Sequence, residues 1–192
     1  MDITIPKLNG KPYIDYKANI IAVEKRPIKI GEKEIEFERA VRSPGVRAII
    51  DDNNKILLSK EYREELGKYD YRLPGGKVFD KLEEYLKYRE EDLTEHAKQA
   101  IIRECKEELA ITIHEPTLFT QTQKKTSIEY WVYFFVTKKY SGEPTEQNTH
   151  EGEHIIPEWV PYEEVKKWCL DGTIGEEFSA LMLLRYLEEK NK

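Results

Sequence analysis

Three carboxylates within one short run are the side chains of this sequence best placed to do chemistry. Glu104, Glu107 and Glu108 stand at positions i, i+3 and i+4, which places them on one face of a helix. Like charges at this spacing repel each other, and the last two also lie near the predicted helix end, where the helix dipole disfavours anions. A hard divalent cation would offset this cost, and oxygen ligands suit Mg²⁺ or Mn²⁺ better than zinc. The spacing therefore predicts a divalent-metal site, with a solvated acidic helix face as the alternative.

The apolar residues of the same helix favour the metal site. They form a stripe that consists of Ala97, Ala100, Ile101 and Cys105. Glu104 and Glu108 project into this stripe, and a carboxylate that faces a protein core needs a partner because burial without one is costly. Arg103, four residues before Glu107, is one such partner, and the metal is the other candidate.

The run that holds these carboxylates matches a known motif together with residues upstream. The matching positions are Pro74, Gly75, Gly76, Glu95 and the run Arg103-Glu104-x-x-Glu107-Glu108-x-Ala110-Ile111. This pattern resembles the Nudix box, a specific motif because several polar identities must coincide at fixed spacing. The resemblance implies an α/β fold of the Nudix type, an α/β/α sandwich with a mixed sheet.

Two departures from the family pattern affect the geometry around the box. Gly76 and Glu95 are separated by far more residues than the family usually has, so a charged insertion at about 80–91 is expected as an extra solvated helix or long loop. Ala110 stands where the family usually has Gly. If the helix ends there in left-handed geometry, Ala costs about 1 kcal/mol relative to Gly. Neither departure changes a predicted ligand.

Hydrophobic periodicity predicts a mixed α/β domain behind a small β-hairpin. Extended runs are expected at 20–23, 35–38, 46–50, 56–59, 128–136 and 155–160, and helices from Thr94 through the box, at 162–170 and at 175–189. Residues 138–154 are polar and are expected to form a mobile loop. We therefore expect an N-terminal β-hairpin extension over 1–43, with its turn at Gly31 and Glu32, and a Nudix domain over 44–192.

Composition and charge limit the classes of function. A formal net charge of −6 and a pI near 5.5 argue against a broad nucleic-acid or membrane surface, and no apolar run is long enough for a transmembrane helix. The first residues lack the basic start and apolar core of a secretory signal, so we expect a cytoplasmic protein with Cys105 and Cys169 reduced. The four histidines show no zinc-ligand spacing.

The resemblance assigns roles to individual residues of the box. It implies that Glu104 and Glu108 are the main metal ligands and that the carbonyl of Gly75 is a backbone ligand. Glu107 is then a further ligand or the partner of Arg103. Arg103 itself is expected to orient carboxylates and not to touch substrate.

Each of the other candidate site residues has two possible roles. Glu95 either helps to hold Arg103, as the resemblance implies, or is an acid favoured in the first turn of a helix. Gly76 belongs to the substrate side of the site or allows a tight turn, and both can hold. Some members of the family take a general base from a late acidic loop, where this chain has Glu151 and Glu153. Solvated loop acids are the alternative for these two.

The layout beyond the box resembles the ADP-ribose and nucleoside-diphosphate-sugar pyrophosphatases. The resemblance covers the N-terminal hairpin and the runs 43–45, 56–63 and 73–76. It implies that Arg63 contacts substrate, for which its planar fork suits a diphosphate, and that the hairpin exchanges across a homodimer. A surface arginine at a strand end is the alternative for Arg63. A proline that ADP-ribose hydrolases commonly carry is absent, with Thr126 at the corresponding position.

These inferences predict divalent-metal-dependent hydrolysis of a nucleotide-derived small molecule. ADP-ribose or another nucleotide sugar is the leading candidate, cleaved to a nucleoside monophosphate and a sugar phosphate. A nucleoside triphosphate pyrophosphohydrolase is the first alternative. A domain that binds a nucleotide metabolite without hydrolysis is the second, although such proteins typically lose box carboxylates that are present here.

Overall fold

The structure is a computed structural model in which residues 5–124, 127–148 and 154–190 are described. Its strands are, in chain order, β1 (Lys7–Leu8), β2 (Tyr13–Lys17), β3 (Ile21–Ile30), β4 (Lys33–Arg42), β5 (Gly45–Asp52), β6 (Lys55–Arg63), β7 (Lys68–Arg72), β8 (Thr112–His114), β9 (Thr117–Lys124), β10 (Ile128–Thr137), β11 (Lys139–Ser141), β12 (Gln147–Asn148) and β13 (His154–Pro161). Its α-helices are α1 (Leu82–Tyr88), α2 (Thr94–Leu109), α3 (Tyr162–Asp171) and α4 (Glu177–Lys190).

Most of the predicted strands and helices lie where hydrophobic periodicity places them. β3 and β4 form the predicted N-terminal hairpin, and Gly31 in its turn has a left-handed φ of 62°, which suits glycine. The box helix α2 begins at Thr94, as predicted. The prediction of a loop over 138–154 is wrong at β11, at β12 and at His154, because β11 pairs with β8 and β12 pairs with β13, while residues 142–146 are without helix or strand as expected. These strands are three and two residues long, too short for an alternating pattern to reveal them.

Two compact units account for the packing of the chain. The first takes its described residues from 1–44, 79–93 and 122–132, and the second from 45–78, 94–121 and 133–192. The first unit is therefore larger than the hairpin expected over 1–43, because it includes the inserted segment. That segment contains α1, whose Leu82 and Tyr85 are buried. The insertion therefore contains the extra helix that the sequence predicts, but the expectation that this segment is solvated is wrong at Leu82 and Tyr85.

Buried ion pairs fasten the inserted segment within the first unit. Arg89 donates hydrogen bonds to Glu24 at 2.5 Å and to Glu129 at 2.6 Å, and Tyr85 donates to Glu129 at 2.8 Å. Burial alone would raise the pKa of Glu129, but the bonds from Arg89 and Tyr85 hold it below its usual range. The sheet of this unit is mixed, since β3 is antiparallel to β4 and β10 is parallel to β4.

The second unit combines a sheet with three helices. Strands β10, β5, β6 and β13 lie side by side in this order, and β7 pairs with the second half of β6. Helix α2 packs against β5 and β13, and α3 packs against β6 and β13. This arrangement confirms the α/β class that the sequence predicts. In the described part of the chain, no helix has both the length and the apolar character needed to cross a membrane.

Candidate active site

The glycine turn that precedes the box is held against β5. The N–H of Val46 donates to the carbonyl of Gly76 at 3.0 Å, and the N–H of Ala48 donates to that of Pro74 at 2.9 Å. Gly75 has a φ of 146°, and a Cβ atom there would lie 2.0 Å from the Val46 carbonyl oxygen. Only glycine fits this close approach. The turn is therefore fixed in place by both its backbone bonds and its lack of a side chain.

The second glycine leaves the space that a box carboxylate occupies. A Cβ atom on Gly76 would lie 2.3 Å from Oε2 of Glu104, well inside van der Waals contact. Only 14% of the Glu104 side chain is exposed. Arg103 donates from Nη2 to Oε1 of Glu104 at 3.1 Å and to the carbonyl oxygen of Lys77 at 3.2 Å. Arg103 therefore ties Glu104 to the backbone that follows the glycine turn.

Glu108 meets the same turn through a backbone hydrogen bond. The N–H of Gly75 donates to Oε2 of Glu108 at 2.9 Å. Burial raises the pKa of Glu108 to about 8, and the charges of Glu104 and Glu61 add to that rise. The Gly75 bond and the charge of Arg47 act in the opposite direction. The raised pKa favours the protonated form of Glu108 at neutral pH.

The buried face of α2 orients both carboxylates toward the glycine turn. Its buried residues are Ala97, Ala100, Ile101, Cys105 and Leu109. This is the predicted apolar stripe, extended by one helical turn. Ala110 follows the helix with a φ of 60°, the left-handed conformation expected at this helix end.

Two predicted site residues of the helix lie on its exposed surface. Glu107 is exposed, and its participation in metal binding stays a prediction. Glu95 is also exposed and accepts a hydrogen bond of 2.9 Å from Nε2 of Gln99, one helical turn further on. This geometry favours the interpretation of Glu95 as an acid in the first helical turn.

The two carboxylates at the turn suit a hard divalent cation. Over the described ranges, no three His, Cys, Asp or Glu side chains form a group that could hold a metal ion. Glu104 and Glu108 are nevertheless close enough for the charge of one to raise the pKa of the other. Two neighbouring carboxylates supply the kind of oxygen donor that Mg²⁺ and Mn²⁺ prefer. The residues present therefore fit the ion that the box implies.

A buried arginine that the sequence analysis missed lies beside these carboxylates. Arg47 on β5 is 8% exposed and forms a two-pronged pair with Glu176, from Nε to Oε2 at 3.1 Å and from Nη2 to Oε1 at 2.9 Å. Its Nη1 donates to the carbonyl oxygen of Val46 at 2.9 Å. The charge of Arg47 lowers the pKa of Glu176 and opposes the rise at Glu108. A single charged residue inside an apolar strand run is the signal that could have revealed it.

Arg63 stands at the end of β6 beside a second residue that the sequence analysis did not single out. Its Nη2 lies 2.9 Å from Oε2 of Glu61, a buried carboxylate that is 6% exposed. The Nε atom of Arg63 is buried and has no hydrogen-bond partner among the described residues. Glu61 lies within electrostatic reach of the box, because its charge contributes to the raised pKa of Glu108.

The predicted general bases Glu151 and Glu153 lie outside the described residues. The chain resumes at His154, the first residue of β13, and Ile155 pairs with Glu61 of β6. The first described residues after Glu151 and Glu153 therefore belong to β13, which pairs with β6, the strand of Arg63.

The comparison with family models identifies the class of protein. Residues 41–178 of the 192 match the model of the NUDIX domain. With more than half of the chain matched and the box carboxylates at the glycine turn, this chain belongs to the Nudix hydrolase family. A comparison with curated proteins gave no match.

Solved structures show that the fold extends over nearly the whole chain. A crystal structure of an ADP compounds hydrolase matches 99% of this chain and 98% of its own with a TM-score of 0.70 at 17% sequence identity. A MutT NUDIX hydrolase from Burkholderia pseudomallei matches 63% of this chain and 84% of its own, with a TM-score of 0.47 at 24% identity. The first similarity confirms the predicted Nudix-type fold.

Proposed function

We propose that this protein hydrolyses the diphosphate linkage of a nucleoside diphosphate derivative, with ADP-ribose or another nucleotide sugar as the leading substrate. The observation that carries the proposal is the meeting of Glu104 and Glu108 at the Gly75-Gly76 turn. The fold match to an ADP compounds hydrolase over nearly the full length of both chains supports the substrate class. The expected products are a nucleoside monophosphate and a sugar phosphate.

The cofactor in this proposal is Mg²⁺ or Mn²⁺. Glu104, Glu108 and the carbonyl of Gly75 would hold it, with Glu107 as a further ligand from the exposed side of the helix. The bound ion supplies neutralisation of diphosphate charge and a water of lowered pKa for in-line attack. Arg103 keeps Glu104 in position, since it holds that carboxylate and the Lys77 carbonyl together.

The chain's own cationic and acidic residues complete the proposed reaction. Arg63 binds a diphosphate oxygen, for which its planar guanidinium is suited, and its ion pair with Glu61 on β6 supports this role. Glu151 or Glu153 takes a proton from the attacking water as general base. The position of β13 supports this assignment, since Ile155 pairs with Glu61 next to Arg63 on β6.

We also propose a homodimer formed through the first unit. This unit exposes a set of large apolar side chains, and exposed apolar surface is typical of interaction sites when it is contiguous: Ile5, Leu8, Tyr13, Ile14, Tyr16, Ile20, Ile21 and Phe37. A second copy of the chain would cover them. Light scattering of the purified protein tests this, and a monomer at micromolar concentration would contradict it.

A substrate panel tests the proposed reaction. ADP-ribose, other nucleotide sugars and nucleoside triphosphates are incubated with Mg²⁺ or Mn²⁺, and the products are separated by ion-exchange chromatography. We expect turnover of at least one nucleotide sugar to a nucleoside monophosphate, and none after chelation of the metal. Release of inorganic pyrophosphate from a triphosphate would favour the triphosphatase instead. Stabilisation by a nucleotide without turnover would favour a regulatory binding domain.

A further inference from the structure

We propose that Glu61 is a positioning residue that holds Arg63 in the orientation that binds the substrate diphosphate. This role rests on the proposed function, since it requires a diphosphate at the site. It concerns a residue outside the box, on a different element from the metal ligands. The inference follows from the pairing of Glu61, from an unsatisfied donor on Arg63, and from the rigidity of the strand that carries both.

Glu61 and Arg63 occupy the same face of β6. Residues two apart in a strand point to the same side, so their side chains can meet without distorting the backbone. The distance of 2.9 Å between Arg63 Nη2 and Glu61 Oε2 is that of a charge-assisted hydrogen bond. Only 8% of the Glu61 side chain is exposed, against 25% for Arg63. The carboxylate is therefore the more deeply buried partner, and the guanidinium is the more accessible one.

The bond to Glu61 leaves one donor of Arg63 unused. Nε of Arg63 is buried and has no hydrogen-bond partner within the described ranges. An unsatisfied donor on a charged group is costly, and Nε would gain an acceptor if the guanidinium shifted toward a bound anion. Because the guanidinium is planar, fixing Nη2 also fixes the direction of Nε. A diphosphate oxygen is an acceptor of the right charge.

The backbone around Glu61 is held on both sides. Glu61 pairs with Asp70 of β7 and with Ile155 of β13, which makes its position internal to the sheet. Arg63 is the last residue of the same strand and precedes the turn of 3₁₀ helix Glu64–Leu66. A binding group is located more precisely by a strand than by a loop. Without Glu61, the Arg63 guanidinium would lose the ion pair that orients it.

The same position places Glu61 near the box, which raises an alternative. Its charge helps to raise the pKa of Glu108, so the two carboxylates are neighbours. Glu61 could therefore act as a further metal ligand instead of holding Arg63. A metal ligand at Glu61 would be needed for manganese binding, whereas a positioning residue would affect nucleotide binding only through Arg63. A set of variants separates the two roles.

The test compares Glu61→Gln, Arg63→Ala and the double variant with Glu64→Gln as the matched control. Glu64 is an exposed acid just beyond Arg63, so its replacement removes the same charge without touching the pair. The probe is the α,β-methylene analogue of ADP-ribose, which cannot be hydrolysed at the phosphorus bridge. Its affinity is measured by calorimetry, together with KM and kcat for ADP-ribose. Manganese affinity is titrated separately without nucleotide.

If Glu61 holds Arg63, the variants should differ in nucleotide binding and kinetics in a specific way. Glu61→Gln weakens analogue binding and raises KM about tenfold, the size of one lost hydrogen bond to a charged group, while kcat changes far less. Arg63→Ala has an effect at least as large, and adding Glu61→Gln to it produces no further loss. Glu64→Gln binds like the unaltered protein. Manganese affinity of Glu61→Gln stays within about threefold of the unaltered protein, because no ligand is lost.

Other results overturn the proposal in distinguishable ways. If Glu61→Gln weakens analogue binding as much in the Arg63→Ala variant as in the unaltered protein, Glu61 does not act through Arg63. Loss of manganese binding in Glu61→Gln would make it a metal ligand. If Glu61→Gln does not fold, Glu61→Asp, which draws the carboxylate back by one methylene, must show the same rise in KM. Failure of the unaltered protein to bind the analogue or turn over any panel substrate would remove the proposed function as well.

Discussion

The backbone N–H of Gly75 donates a hydrogen bond of 2.9 Å to Glu108, which lies 33 residues further along the chain. This bond joins the two halves of the box, which are separated in sequence by the inserted segment. It also explains how the box tolerates that insertion. The inserted helix packs in the first unit, and the turn and the box helix keep their contact in the second.

Removal of either box carboxylate should stop turnover and leave the fold intact. We expect Glu104→Gln and Glu108→Gln to lower kcat at least about a hundredfold, since a held metal ion contributes several kcal/mol of charge stabilisation. The melting temperature should change little, because glutamine has the size of glutamate and its amide oxygen can still accept the bonds from Gly75 and Arg103. Steady-state kinetics at saturating Mg²⁺ and a thermal melt measure both, with the exposed Glu188→Gln as control. Near-normal kcat in either variant would contradict the ligand assignment.

The metal-free protein should lose stability as pH rises from about 4.5 to about 8. The pKa of Glu108 is raised to about 8 in the folded chain, so the folded state holds a proton that the unfolded state has already released in this window. Each unit of that shift corresponds to about 1.4 kcal/mol of unfolding free energy. Urea unfolding in a chelating buffer across this range measures the loss.

The same pH series has an internal control and a metal arm. Glu108→Gln cannot take up the proton, so its stability should not show this component. Added Mg²⁺ should restore stability at pH 8 more than at pH 5, because the ion competes with the proton for Glu108. Equal stabilisation by Mg²⁺ at both pH values would show that Glu108 is not a ligand.

A single methyl group on the second glycine of the turn should displace a box carboxylate. In Gly76→Ala the new Cβ would lie 2.3 Å from Oε2 of Glu104, so that side chain must move. We expect metal affinity and kcat to fall at least about tenfold, as for a ligand moved from its place. Gly172→Ala is the comparison, because its Cβ meets nothing within 4 Å and its φ of 82° costs only stability. Equal activity of the two variants would show that Glu104 is not held at the turn.

Glycine at the end of the box helix should stabilise the protein. Ala110 has a φ of 60°, which costs an alanine about 1 kcal/mol relative to glycine. We expect Ala110→Gly to raise the melting temperature by about 2–4 °C for a chain of this length. Ala110→Val should lower it, because a β-branched side chain is poorly accommodated at positive φ. A lower melting temperature for the glycine variant would contradict the strain at this position.

Breaking the buried Arg47–Glu176 pair should destabilise the second unit. Arg47→Met leaves the Glu176 carboxylate buried without its two-pronged partner, which costs about 3–5 kcal/mol. Arg47→Met combined with Glu176→Gln should recover much of that loss, since no buried charge is left unpaired. Chemical denaturation of both variants measures the difference. A double variant no more stable than Arg47→Met would show that the pair is not the origin of the loss.

Local periodicity determined much of the fold and the core of the site. The spacing of the glutamates relative to the apolar stripe that ends at Cys105 predicts that Glu104 and Glu108 face inward. It does not decide between the two interpretations of Glu107. Ala110 stands where the family usually has Gly, and its φ of 60° is the left-handed geometry that a helix end at this position favours. These features depend on a few neighbouring residues, and the geometry of one helix is sufficient to specify them.

Tertiary structure decided which distant residues join the site. Arg47 pairs with Glu176, which lies 129 residues further along the chain. The charge of Glu61 on strand β6 contributes to the raised pKa of Glu108 on helix α2. Likewise, the charged insertion reads as solvated, yet Arg89 within it binds two buried glutamates of the first unit. No local pattern encodes these pairs, because strand order and long-range packing bring such residues together only once the chain has folded.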